Sequence, residues 1–178
     1  PGYPSYKNII NSLSLVSELF STSLEDRFQL TSEAIMQSSA QGVLVASPAN
    51  PTGVSLSRQQ LVELSKSAKK KNMTFISDEI YHGLNFTGTD ACALEVDNDA
   101  IVINSFSKYF SMTGWRLGWM IVPQRFVRTI EKLSQNLFIC PSHASQYLGL
   151  YALESSIDFD KRVLEYKKSK EALMFNLP

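Results

Sequence analysis

The chain has 178 residues, 44% of them hydrophobic and 19% charged, with 17 basic side chains balancing 17 acidic ones. That length supports one domain with a substantial core, and zero net charge argues against a nucleic-acid or anionic-membrane surface as the main partner. The longest basic run is Lys69-Lys70-Lys71, no apolar stretch is long enough to span a bilayer, and Cys92 and Cys140 stand apart without paired or metal-ligand spacing. The expectation is a cytoplasmic protein with reduced thiols and a small-molecule partner. The first residue is Pro1 and the last three are Asn176-Leu177-Pro178, as in a piece of a longer protein.

Pro1-Gly2-Tyr3-Pro4 reads as a turn into a short helix capped by Ser5 and ending near Leu13, with Tyr6, Ile9, Ile10 and Leu13 on one face. Leu15 to Phe20 alternates loosely and reads as a strand. Thr31 to about Ser38 forms a short helix. Gly42 to Ser47 is a buried strand that Pro48, Pro51 and Gly53 stop abruptly. Ser57 with Gln60 three residues later makes a capping box for a helix to about Lys71, with Leu61, Leu64 and Ala68 facing inward and the three lysines forming a solvated last turn. Asn72 ends that helix. Met73 to Ser77 is the next buried strand, and Asp78-Glu79-Ile80-Tyr81-His82 follows at its carboxyl end.

A loop from Asn85 to Asp99 leads to Ala100–Asn104, short and continuous as a strand buried on both faces would be. Leu117 to Val122 is another apolar strand. Helices follow from about Gln124 to Gln135, from Pro141-Ser142 to about Leu153, and from Asp158 to about Phe175. Between the last two strands lie Ser105, Ser107, Lys108, Ser111, Thr113, Gly114 and Arg116. Hydroxyls and a guanidinium converging on one turn suit a phosphate group, which offers several acceptor oxygens and nearly two negative charges. Serines that merely cap the next turn of a solvated loop would leave the same pattern.

Short apolar strands alternating with helices imply an α/β fold, a three-layer αβα domain with a mostly parallel sheet. Ligands of such sheets sit beyond the carboxyl ends of the strands. Asn50, Asp78 with Tyr81, and Ser105 to Lys108 would therefore meet at one edge, with the Arg116 turn beside them. Each also has a plain structural role open to it: Asn50 in turn chemistry before a proline, Asp78 as a helix cap, Tyr81 as a core aromatic. His82 and His143 read as structural, and Trp115 and Trp119 as packing.

The combination Asn-Pro-Thr-Gly at Asn50–Gly53, Asp-Glu-Ile-Tyr at Asp78–Tyr81, and Ser-Phe-Ser-Lys-Tyr-Phe-Ser-Met-Thr-Gly-Trp-Arg-Leu-Gly at Ser105–Gly118 closely resembles the class I/II aminotransferases. These are pyridoxal-phosphate enzymes of fold type I. The opening Pro-Gly-Tyr-Pro-Ser-Tyr and the late Tyr166-Lys167-Lys168 are also similar to that family, so the resemblance spans essentially the whole chain.

The resemblance implies that Lys108 forms the internal aldimine with pyridoxal 5'-phosphate, and that Ser105, Ser107 and Arg116 hold the phosphate. By the same resemblance Asp78 pairs with the pyridine nitrogen and keeps it protonated, while Asn50 and Tyr81 bond the ring's phenolic oxygen. Lys108, Asp78 and Tyr81 are the expected catalytic residues; no metal is expected. The implied reaction moves an amino group between an amino acid and a 2-oxo acid in two stages, with the displaced Lys108 taking the α-carbon proton and returning it to the cofactor carbon. Residues 1–154 would be the central part of the cofactor-binding large domain and 155–178 the start of the helix leading to a small domain. The implied parent is a cytoplasmic homodimer, and the piece alone is expected to be inactive. A carbon-sulfur lyase, a synthase, a decarboxylase or a non-enzymatic regulator domain of the same fold would share these residues.

Overall fold

A computed structural model describes residues 1–86, 88 and 90–177. Six helices and four strands follow one another: α1 (Pro4–Ser12), α2 (Ser32–Gln37), β1 (Gly42–Ala46), α3 (Arg58–Lys70), β2 (Thr74–Asp78), β3 (Ile101–Ser105), β4 (Gly118–Ile121), α4 (Gln124–Leu137), α5 (His143–Glu154) and α6 (Asp160–Asn176). The sheet order is β1-β2-β3-β4. The first three strands run parallel and β4 pairs antiparallel with β3. The mostly parallel α/β architecture expected from the sequence is therefore present, and the antiparallel return puts the start of β4 at the same edge as the carboxyl ends of the other three.

The register assigns the faces. Val45, Ser77 and Val102 lie side by side, as do Val43 and Phe75. This face packs against α2 and α3 through Ile35, Leu61, Leu64 and Ala68 in one buried cluster. Leu61 is fully buried, and burying a leucine stabilises by roughly 1.5–3 kcal/mol. On the other face Ala46, Asp78 and Ile103 are neighbours. Leu44, Ile76, Ile101 and Ile103 there are only half-buried, so the second helical layer is less complete than the first. A separate cluster of Phe106, Met112 and Ala152, with Leu117, Leu148 and Phe159 against it, ties the β3–β4 connection to α5 and the entry of α6.

Local signals account for most boundaries. Ser57 Oγ accepts from Gln60 N while the Gln60 side chain accepts from Ser57 N, closing the capping box at the start of α3. Asn72 adopts a left-handed φ of 55° just past its end, a C-terminal stop that asparagine tolerates well. Three expectations need correction. The residue flanking α1 is Tyr3 with no side-chain cap, and Pro4 occupies the first turn; proline's fixed φ starts the helix without help from Ser5. Leu15 to Phe20 forms no ladder: Leu15, Val16 and Leu19 are exposed, because alternation without a partner strand leaves the backbone nothing to pair with. Lys69 is not simply solvated: its Nζ lies 2.7 Å from the carboxylate of buried Asp97. The Asn85–Asp99 loop also carries a 3-10 turn at Ala93–Glu95.

Candidate active site

The carboxyl edge of the sheet gathers most of the expected residues. Asp78 is the last residue of β2 and only 9% exposed. Its backbone carbonyl accepts from Ser47 N at 3.0 Å, which draws the 48–53 turn carrying Asn50 alongside. Glu79 N donates to Ile103 O at 2.8 Å, locking the neighbouring strand end in step. Ser105 closes β3, and Lys108 follows in the turn with its Nζ 5.3 Å from the centre of the Tyr81 ring. Asn50 and Tyr81 both line a cavity of about 600 Å³ that also takes in Pro51, Thr52 and Lys170. A second cavity of about 610 Å³ shares the Asn50 wall and runs under α1 past Tyr3 and Tyr6. Lys108 lines neither, so the chemistry is located by hydrogen-bonding residues and not by cavity size.

The β3–β4 connection is a turn cross-linked by its own hydrogen bonds. Ser107 N donates to Ser105 Oγ at 3.0 Å, and that hydroxyl donates onward to Leu117 O at 3.2 Å. Thr113 Oγ1 donates to Ser107 O at 2.6 Å, and Arg116 Nη1 donates to Thr113 O at 3.0 Å. Ser111 and Arg116 carry left-handed backbone, at φ 56° and 53°. Such reversals are uncommon outside glycine and concentrate at functional turns. Ser105, Ser107 and Arg116 are thus brought into one loop, but Arg116 is exposed and its guanidinium is turned toward Thr113.

Hydrogen-bonding capacity at this edge is distributed unevenly. Among the described residues no hydrogen bond or ion pair engages the side chains of Asn50, Tyr81, Ser107 or Lys108, although all four are half-buried. Half-buried polar groups without a protein partner are open to water or to a ligand. An amide, a phenol, a hydroxyl and an ammonium left open at the edge where β2 ends in a buried carboxylate form a set able to grip a polar, anionic aromatic ligand. Pyridoxal phosphate fits that donor set: an aldehyde for the amine, a phenolic oxygen for amide and phenol, a ring nitrogen for the carboxylate, and a phosphate for hydroxyls and a guanidinium with donors to spare.

The sequence matches the family model for aminotransferase class I and II over residues 1–177. The chain belongs to the class I and II aminotransferase family. It is 37% identical to the valine–pyruvate aminotransferase of Mycobacterium tuberculosis, over 99% of this chain and 47% of that protein. It is 36% identical to the aspartate aminotransferase of Thermotoga maritima, over 91% of this chain and 42% of that protein. A crystal structure of an aminotransferase from Mycobacterium tuberculosis superposes with a TM-score of 0.91 at 37% identity, covering 96% of this chain and 48% of the other. The chain therefore spans about half the length of the relatives it matches.

Two groups beside this aminotransferase edge were not singled out from sequence. Tyr6 donates to Asp78 Oδ2 at 2.5 Å across 72 residues of sequence; its only sequence signal was a place on the apolar face of α1. Glu79, 1% exposed, accepts from Ser77 Oγ at 2.9 Å and from Ala93 N at 2.8 Å and lies 3.3 Å from His82 Nδ1. His82 Nε2 is buried with no partner among the described residues. His143 stacks edge-on with Tyr147. Trp119 packs on Phe106 but stays 36% exposed, and Trp115 is 45% exposed, so the tryptophans pack only in part.

Proposed function

We propose that the full-length protein is a pyridoxal-phosphate-dependent aminotransferase that moves an amino group between an amino acid and a 2-oxo acid, with Lys108 as the residue that holds the cofactor covalently. The observation carrying this reading is the open set of Asn50, Tyr81, Ser107 and Lys108 at the edge of the sheet where β2 ends in buried Asp78. The family membership gives the reaction class, and the names of the relatives, valine–pyruvate and aspartate aminotransferase, differ in the amino acid taken.

When bound, pyridoxal phosphate supplies an aldehyde and a ring that withdraws electrons from the substrate α-carbon. This chain's residues supply the rest. Asp78, whose Oδ1 accepts from Ile80 N at 3.2 Å, presents a fixed acceptor to the ring nitrogen. Asn50 and Tyr81 hold the ring's phenolic oxygen from one side. Ser105, Ser107 and Arg116 bind the phosphate, with the guanidinium suited to a two-pronged grip. Released when the substrate amine takes its place, Lys108 Nζ, beside the Tyr81 ring, would carry the α-carbon proton to the cofactor carbon that receives the amino group, a transfer that requires the amine within hydrogen-bond reach of that proton.

In this reading residues 1–154 form the central part of the cofactor-binding domain, and residues 155–178 begin the helix leading to the region that grips the substrate carboxylate. The protein works in the cytoplasm as a homodimer; Cys92 and Cys140 are free thiols, and Trp119, Met120 and Ile121 leave β4 exposed and in need of a cover. No helix among the described residues is long and apolar enough to cross a membrane. The test is turnover: the full-length protein incubated with amino acids and 2-oxo acids yields the exchanged pair, and the isolated 178-residue chain does not. Product formed without any 2-oxo acid acceptor would point to lyase or decarboxylase chemistry instead.

A further inference from the structure

We propose that Tyr6 is a positioning residue for this site: from α1 it holds the Asp78 carboxylate in the orientation that receives the cofactor's ring nitrogen. The proposal rests on the cofactor reading above and extends it to a residue 72 positions upstream of Asp78.

Three observations carry it. The carboxylate is fixed at both ends, Oδ2 by the Tyr6 hydroxyl at 2.5 Å and Oδ1 by Ile80 N at 3.2 Å. An ionised carboxylate has about four acceptor positions, so two donors pin its torsion and still leave room for a third from the ligand. Next, α1 buries none of its residues. The bond is therefore not a by-product of close helix packing; it is a specific tie between an otherwise exposed helix and the sheet's carboxyl edge. Finally, Tyr3, flanking α1, sets its ring edge-on to Tyr6 with centroids 5.5 Å apart, and both rings line the cavity that reaches Asn50. The tie thus sits beside the cavity that shares Asn50 with the site.

The chemistry of the phenol agrees with a permanent donor. Burial first, then the hydrogen bond and the negative charge of Asp78, with smaller contributions from Tyr81 and Tyr3, push the Tyr6 hydroxyl far above the ordinary phenol range. It stays protonated throughout the working pH range and donates without interruption. A carboxylate held this way turns less freely before the cofactor arrives, which lowers the cost of binding it.

The experiment uses the full-length protein with Tyr6→Phe, Asp78→Asn and the double variant. Phenylalanine keeps the ring and removes only the donor. Pyridoxal-phosphate affinity, measured by equilibrium dialysis, is expected to fall roughly three- to tenfold for Tyr6→Phe in the native background, as for loss of one charge-assisted bond. In the Asp78→Asn background the same change is expected to have little effect, because the charge it serves is gone. An equal loss in both backgrounds, or no loss in either, overturns the proposal. A second readout needs no cofactor: in tyrosine labelled with carbon-13 at Cζ, the Tyr6 signal is expected to resist titration past the ordinary phenol range and to titrate more readily in Asp78→Asn. If Tyr6 titrates as an ordinary phenol in the native protein, the proposal fails, even should Tyr6→Phe not fold. A native protein that takes up no pyridoxal phosphate overturns the cofactor reading itself; one that binds it but ignores Tyr6→Phe overturns only this inference.

Discussion

Replacing Gly118 by alanine tests whether the turn that carries Arg116 depends on close approach of two strands. A Cβ at Gly118 would stand 2.7 Å from the Asn104 carbonyl oxygen and 3.5 Å from Ser105 Cα. Ordinary carbon–oxygen contacts begin at about 3.3 Å, so the overlap with the Asn104 oxygen is roughly half an ångström, and that oxygen is backbone. Relief requires β3 and β4 to part where Ser105 faces Gly118. That strains the Phe106 N to Leu117 O bond of 3.1 Å and the Ser105 Oγ to Leu117 O bond of 3.2 Å, both at the root of the proposed phosphate turn. Overpacking costs about 1–3 kcal/mol, and the smaller backbone freedom of alanine in the unfolded chain returns about 0.4–1 kcal/mol. The net loss lies between about 0 and 2.6 kcal/mol, centred on roughly 1 kcal/mol, with weakened cofactor binding. Gly114 provides the control, since a Cβ there meets nothing within 4 Å. The assay is the urea midpoint of full-length Gly118→Ala and Gly114→Ala against the native protein, with pyridoxal-phosphate affinity read in parallel. A Gly118→Ala protein as stable as Gly114→Ala would refute the reasoning.

Burial pushes the Asp97 carboxyl up, but Lys69, the Ser65 hydroxyl and the Asp99 amide outweigh it and hold it below the usual aspartate range. A carboxyl lowered on folding contributes stability above its unfolded value and loses it as pH falls through the folded one. Unfolding against pH should therefore show an acid-side loss of stability that Asp97→Asn flattens, and Ser65→Ala, which removes a 2.7 Å bond to Asp97, should cost about 1.5–3 kcal/mol at neutral pH. Burial, more than the nearby Glu79 and Glu95, pushes the Cys92 thiol up to about 11. Peptide mapping after brief alkylation at pH 8 is expected to find exposed Cys140 modified and Cys92 spared; the reverse order contradicts that picture. Arg116→Lys keeps the charge but loses the planar fork, and dialysis should show pyridoxal-phosphate affinity falling severalfold more than inorganic phosphate competition alone explains.

What the sequence made legible was local. The Ser57–Gln60 box, the asparagine stop at Asn72 and the short apolar strands are written in neighbouring residues, so α3 and all four strands sit within a few positions of expectation. The shared edge for Asn50, Asp78, Tyr81 and Lys108 also followed, because strands alternating with helices run parallel and send successive carboxyl ends to one side. Contacts without a local code were not legible. Leu15–Phe20 carries a strand-like pattern, but whether a strand forms depends on a partner elsewhere, and none is present among the described residues. Tyr6 looked like one more apolar-face residue, and only the folded chain brings its hydroxyl to Asp78. Lys69 looked solvated until Asp97, 28 residues on, arrived beneath it.

The most direct test is to load the full-length protein with pyridoxal phosphate, reduce it with borohydride, digest it and locate the modified residue by mass. The account predicts one pyridoxyl adduct, on Lys108, and a Lys108→Ala protein that loses the visible absorbance of the bound cofactor. An adduct on another lysine, or colour that persists in Lys108→Ala, would contradict it.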